Sequence, residues 1–192
     1  MINSHLHRKF HSLGELINTL SLFCENLFES SDFFEVKPNS YDEALQRANF
    51  LKDNIENNDG YRIFYQKGKP IASEDTIQRV FRLTWYASPY DVNSEVNNGR
   101  GPADYKVSFG SGDSTIIEFK LARSSSLKNN LKNQTEIYKK ASKSISDIKV
   151  ILCYTKPEVA KVDRILKAMG QQGADNIVII DASPKVSASK VV

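Results

Sequence analysis

The sequence predicts a mixed α/β domain, a sheet flanked by helices, preceded by a helical region. Three observations carry that expectation. Residues 148–154 form an apolar run rich in β-branched side chains, the composition of a central strand covered on both faces. Residues 103–109 and 115–121 alternate in polarity around Gly110-Ser111-Gly112-Asp113-Ser114, as two strands joined by a five-residue hairpin connection do. Residues 127–145 place Leu127, Leu131, Thr135, Tyr138 and Ser142 on one helical face.

Taken in order, Leu13, Ile17, Leu20, Phe23 and Leu27 recur at helical spacing and predict a helix over 10–29. Residues 41–55, with Ala44, Leu45, Ala48 and Leu51, predict a second. Asn57-Asn58-Asp59-Gly60 marks a turn, and 61–65 a short strand. Ser73 is a suitable N-cap for a helix running to Tyr86, with Glu74 and Asp75 in the first turn, where the helix dipole favours anions. Residues 91–96 predict an edge strand, followed by the loop 97–102 and the two hairpin strands. After the run at 148–154, Pro157 stands at a helix start and Gly170 at its end, and 177–180 is a last buried strand. From Ser73 the order is α-β-β-β-α-β-α-β. We therefore expect an accessory helical region over 1–70 and the sheet domain over 71–192.

Composition sets the outer limits. With 192 residues, 40% of them hydrophobic and 26% charged, the chain suits one globular domain with a small extension and is too apolar to be disordered. No run approaches the ~18 apolar residues of a membrane helix, and charged residues and histidines interrupt the first apolar stretches, so no signal-peptide core is expected. Cys24 and Cys153 are too few and too far apart for a disulfide framework, which points to the cytoplasm. Both lie in apolar stretches and are expected to pack as small hydrophobes. Residues 1–60 carry five Lys/Arg against ten Asp/Glu, and the rest 21 against 13. Between Lys120 and Lys149 eight basic residues face only Glu136 and Asp147, which suits either a solvated helix face or a polyanion partner.

The hairpin concentrates the chemistry. Side chains of one parity along a strand share a face. Tyr105, Val107, Phe109, Ile117, Phe119 and Leu121 point one way, toward a core; Asp104, Lys106, Glu118 and Lys120 point the other. A symmetric five-residue turn would set Asp104 opposite Lys120 and Lys106 opposite Glu118. Plain cross-strand ion pairs on a wet sheet would have the same pattern, each contributing well under ~1 kcal/mol. The following helix argues for more. Gln134 and Tyr138 are four apart beside its apolar stripe, and a buried amide is costly without hydrogen-bond partners.

Pro102-Ala103-Asp104, thirteen residues, and then Glu118-Phe119-Lys120 resemble the PD-(D/E)XK motif of restriction-endonuclease-like nucleases. That superfamily's core is αβββαβ, the order expected here from Ser73 to Tyr154. Gln134 to Tyr138 resembles the QxxxY element on the helix after the hairpin, and Glu74 stands where an acidic residue often lies on the first core helix. Ala103 separates the proline and aspartate that the motif's name puts together. The resemblance spans about residues 73–181 and implies a metal-dependent nuclease, an endonuclease first, acting on DNA in preference to RNA, in restriction or anti-phage defence.

Under that resemblance Asp104, Glu118 and the Phe119 carbonyl would supply hard oxygen ligands for Mg²⁺ or Mn²⁺, with Glu74 completing the shell. Lys120 would orient the attacking water and stabilise negative charge, or act as general base if its pKa were depressed. Gln134 would position water or strand. Tyr138, Lys106, Lys128, Lys132 and Arg100, the last in a glycine-flanked loop, would contact the nucleic-acid backbone, with charge added by Arg79 and Arg82. Double-strand cleavage would call for a homodimer, for which the N-terminal helices offer a contact. The alternative from another class is a catalytically silent nucleic-acid-binding or assembly domain with the same fold. His5, His7 and His11 read as an exposed polar N-terminus, Trp85 and Tyr86 as core or core rim, and Asp113 as a local turn residue.

Overall fold

Five strands organise the chain beyond Pro38 in a computed structural model that describes residues 14–26, 39–97, 102–132 and 145–185. In spatial order they are β3 (Asp91–Asn97), β4 (Pro102–Phe109), β5 (Asp113–Leu121), β6 (Ile145–Cys153) and β7 (Ile177–Asp181). The first three form an antiparallel meander, and β6 and β7 continue the sheet in parallel with β5. Parallel neighbours need crossovers. Helix α4, described over residues 127–132, lies in the first crossover, and α5 (Lys156–Ala168) forms the second. A small antiparallel pair, β1 (Tyr65–Gln66) and β2 (Lys69–Pro70), precedes helix α3 (Asp75–Leu83). The chain is thus a mixed α/β protein with a five-stranded mixed sheet.

Alternation along β6 separates two cores. Ile148, Val150 and Leu152 join Ile117, Phe119 and Leu121 of β5 against helix α2 (Ser40–Asn57) and α3. Ile151 and Cys153 join Leu127 and Leu131 of α4 and Val162 and Leu166 of α5. Phe81 of α3 is fully buried and meets Phe119, Tyr105 and Trp85 at ring distances of 5.1, 5.6 and 5.9 Å. Truncating such a ring to Ala costs ~3–5 kcal/mol. Helix α5 is capped by the Thr155 hydroxyl, which accepts from Glu158 N–H at 3.2 Å.

Helix α2 belongs to the sheet domain, and this moves the expected boundary. The chain divides after Pro38, not near residue 70. Ala44, Ala48, Leu51 and Ile55 line the first core, so the acidic helix read as an accessory is a wall of the domain. Glu56 accepts the Asp181 amide at 2.8 Å and the Lys52 ammonium reaches the Ile179 carbonyl, which covers part of the β7 edge with side chains. At the helix start, Ser40 is fully buried. Its N–H and hydroxyl donate to the two oxygens of Asp113 at 2.8 and 2.7 Å, and its hydroxyl lies 2.8 Å from that of Thr115. Asp113 therefore pins α2 to the hairpin, which is more than the local role expected of it. In the preceding unit, residues 14–26 form helix α1, on which Leu16, Ile17, Leu20 and Phe23 are each more than half exposed.

Several local expectations are corrected. Residues 60–64 form a 3₁₀ turn instead of a strand: Arg62 N–H bonds Asp59 O at 3.1 Å, and the buried pair Tyr61 and Phe64 is spaced by three, not two. The hairpin connection is Gly110-Ser111-Gly112, three residues, with Gly110 at φ +65°. Pairing is consequently Phe109↔Asp113 and Tyr105↔Ile117, two residues off the symmetric expectation. Ile145 opens β6, paired with Ser114, and so does not end a helix. Tyr86 is 93% exposed, unlike Trp85, which is buried. Among the described residues no helix is long and apolar enough to cross a membrane.

Candidate functional site

The site forms where β4 leaves β5. Backbone pairing between them ends at Tyr105↔Ile117. Two residues further along β5 the Phe119 N–H is taken not by a β4 carbonyl but by the Asp104 carboxylate, at 2.6 Å. The shift of two residues changes which residues stand opposite but not which face they share, since the face repeats every second residue. Asp104, Glu118 and Lys120 consequently remain together on one face, as the alternation predicts.

Helix α3 delivers the third carboxylate. Phe81 anchors it to the core, and the Tyr105 hydroxyl bonds Gln78 O at 3.0 Å. Its N-terminus then lies over the end of β5, where Glu74 accepts the Leu121 amide at 3.0 Å. Glu74 is the residue at the N-cap position but does not cap the helix with its own side chain. The neighbouring Ser73 hydroxyl accepts from Asp75 N–H at 3.2 Å, which leaves the Glu74 carboxylate for the strand.

The Lys120 ammonium sits among all these oxygens. It lies 2.9 Å from Phe119 O, 3.1 Å from Glu118 Oε2, and 3.8 Å from both Asp104 Oδ2 and Glu74 Oε2. The side chains of Lys120 and Glu118 are only 11% and 8% exposed. Burial opposes the charge on Lys120, but Asp104, Glu118 and Glu74 together outweigh it, and its pKa is held above the ordinary lysine value. A general base would need the opposite shift. Burial also pushes the Asp104 carboxyl upward; the Phe119 amide and Lys120 oppose this, Glu118 and Glu74 add to it, and the net direction is up.

These donors suit a hard cation. Two carboxylates on the hairpin, one on α3 and a strand carbonyl already surround a positive charge, and hard oxygen donors are what Mg²⁺ and Mn²⁺ take. Among the described residues no three His, Cys, Asp or Glu side chains form a ready metal cage; the oxygens converge on the ammonium instead.

Lys149 stands beside the cluster, a placement that the sequence reading missed. It faces Glu118 across the parallel β5–β6 ladder, is 1% exposed and is ion-paired with Asp147. Its signal was present as a lysine inside the run 148–154, read there as continuously apolar. Asn176 also donates to Asp147, at 3.2 Å, so the pair is fixed from β6 and from the turn before β7.

The remaining expected residues stand apart from this cluster. Lys106 shares the Asp104 face but makes no hydrogen bond or ion pair with the cluster among the described residues. Lys128 and Lys132 are exposed, and Lys128 lines a separate cleft of about 310 Å³ with Lys161 and Arg164. Arg79 pairs with Asp75, and Arg82 donates to the Val92 carbonyl. Arg100, Gln134 and Tyr138, like the three histidines, lie outside the described residues. Cys153 is buried as expected, its thiol pushed up to about 12 by burial, whereas Cys24 is exposed.

Residues 40–156 match a family model described as a domain of unknown function (DUF8371). The chain belongs to that family. The DUF8371 match opens at Ser40, the first residue of α2, and runs through the hairpin and β6, so it takes in Asp104, Glu118, Lys120, Glu74 and Lys149. No curated protein and no solved structure matches the chain.

Proposed function

We propose that this DUF8371 domain is a divalent-metal-dependent nuclease of the PD-(D/E)XK kind, an endonuclease with DNA ahead of RNA as substrate. One observation carries the reading: Asp104, Glu118, Glu74 and the Phe119 carbonyl converge on the Lys120 ammonium where the hairpin opens. Supporting it are the order of elements from α3 to β6 and the motif residues that the resemblance rests on. The αβββαβ core of that superfamily is the finer fold assignment that goes with the proposal.

In this account Asp104, Glu118 and Phe119 O hold Mg²⁺ or Mn²⁺, with Glu74 beside them. The ion would neutralise phosphate charge and lower the pKa of bound water. Asp104 and Glu74 are oriented by the Phe119 and Leu121 amides, so their free lone pairs are directed without reorganisation. Lys120 keeps its proton, steadies the attacking water and faces the negative charge that develops on the phosphoryl oxygens. Gln134 and Tyr138 are assigned water and backbone contacts by the resemblance alone, as are Arg100, Lys106, Lys128 and Lys132.

A cytoplasmic setting in restriction or anti-phage defence accompanies the reading. A homodimer through α1 is supported by its exposed Leu16, Ile17, Leu20 and Phe23; Leu20→Glu would then give a monomer by light scattering.

The test is cleavage of supercoiled, linear and single-stranded DNA and of RNA with Mg²⁺ or Mn²⁺. Metal-dependent cutting lost in Glu118→Ala and Lys120→Ala is expected. A folded chain that binds these nucleic acids and cuts none would instead be the catalytically silent form.

A further inference from the structure

Beside the carboxylates a cleft of about 350 Å³ is lined by Ala72, Glu74, Leu121, Arg123 and Ser124. Arg123 is exposed, and its guanidinium stacks on the Tyr154 ring, 4.3 Å from the centroid. Tyr154 is itself fixed: its hydroxyl donates to Ile71 O at 2.8 Å and its ring meets Tyr65 edge-on. The loop under Arg123 is tied down as well. Ala122 N–H bonds Leu152 O at 2.9 Å, Ser124 N–H bonds Leu121 O at 3.0 Å, and Lys161 donates to the carbonyls of Ala122 and Ser124 at 2.8 and 3.3 Å.

The carboxylate that lines the same cleft, Glu74, and the one that holds the Tyr154 backbone, Glu158, are both committed elsewhere. Glu158 accepts the Tyr154 amide at 2.6 Å, and Glu74 accepts the Leu121 amide. Among the described residues Arg123 makes no ion pair and no hydrogen bond. A rigidly mounted, solvent-facing guanidinium with an aromatic plane behind it is a preorganised anion receptor, since its fork matches phosphate and little rotamer freedom is left to lose. Lys161 on the other side of the loop, with Arg164 and Lys128, keeps the local potential positive.

We propose that Arg123 binds a non-scissile phosphate of the nucleic-acid strand, seating it in the cleft beside Glu74 so that the neighbouring phosphodiester meets Asp104, Glu118 and Lys120. The inference rests on the nuclease reading and adds to it the direction of the strand, which leaves the carboxylates over the turn after β5. Arg123 is on this account a substrate-positioning residue, and its contact is with backbone, so it is indifferent to base sequence.

The experiment measures KM and kcat on the nucleic acid that the wild-type chain cuts, over a range of salt, for Arg123→Ala and Arg123→Gln. The second keeps a planar group over Tyr154 and removes the charge. Both variants are expected to raise KM roughly tenfold, with kcat changed far less, and to flatten the logarithmic salt dependence by about 0.7–0.9, the loss of one phosphate contact. Unchanged KM and salt slope in a wild-type chain that does cut would overturn this inference and leave the nuclease reading intact. A lower melting temperature with an unaltered slope would do the same, reducing Arg123 to a structural lid on Tyr154. A wild-type chain that cuts no nucleic acid removes the nuclease reading and this inference with it.

Discussion

The Asp104 carboxylate accepts the backbone amide of Phe119 at 2.6 Å, standing in for the strand carbonyl that an unbroken antiparallel ladder would supply. The same contact therefore ends the β4–β5 pairing and holds a carboxylate over the gap it leaves. Structure and chemistry are joined in that residue, and its substitution should separate them.

Asp104→Asn keeps an acceptor for the Phe119 amide and removes the charge, so the fold is expected to survive while metal binding and cleavage fall by at least ~100-fold. Stability gives a second readout. Folding raises the Asp104 pKa above 3.8, so the native state holds this proton more tightly than the unfolded chain. Its contribution to stability is therefore greatest at acid pH and declines as pH rises from about the ordinary carboxylate value through the raised folded value. In EDTA, the stability of wild type relative to the Asn variant should grow as pH is lowered through that window, read by urea denaturation. A difference independent of pH would be inconsistent with the raised carboxyl.

Lys120 is the cation of its own oxygen cage. Lys120→Met should leave Asp104, Glu118 and Glu74 without it, and removing one partner of such a buried cluster costs ~3–5 kcal/mol in the absence of metal. Mn²⁺ should recover much of that loss, since a divalent ion suits the same oxygens. Thermal melts with and without Mn²⁺ check this; a variant as stable as wild type in EDTA would show that the carboxylates do not depend on the ammonium. The raised lysine pKa adds a sign. Its stabilisation is complete below 10.5 and is lost only as pH climbs through the higher folded value.

Asp113→Ala should cost ~1–3 kcal/mol, because it strands the buried Ser40 amide and hydroxyl that the carboxylate accepts. The loss should appear as a lower urea midpoint, with α2 amides exchanging faster. An unchanged midpoint would mean that α2 is held by its apolar face alone.

The cluster was legible in the sequence because its logic is parity. Moving the hairpin register by two residues altered every cross-strand pair yet kept Asp104, Glu118 and Lys120 on one face. The turn length itself was not legible, since Gly110, Gly112 and Asp113 suit a three- or a five-residue connection equally well. Periodicity shows α2 to be amphipathic but not what its apolar face meets, so the sequence alone places in an appendage a helix whose Ala44, Ala48, Leu51 and Ile55 complete the main core. Lys149 was hidden by its neighbours: one lysine in a β-branched run reads as noise until its register against Glu118 is known.

The most direct measurement is a calorimetric titration of the metal-free chain with Mn²⁺, wild type beside Glu118→Gln. The account predicts one ion bound per chain, with affinity reduced at least ~10-fold in the variant and an unaltered circular-dichroism spectrum. A wild-type chain that takes up no divalent ion, or a variant that binds it equally well, would contradict the metal-dependent centre.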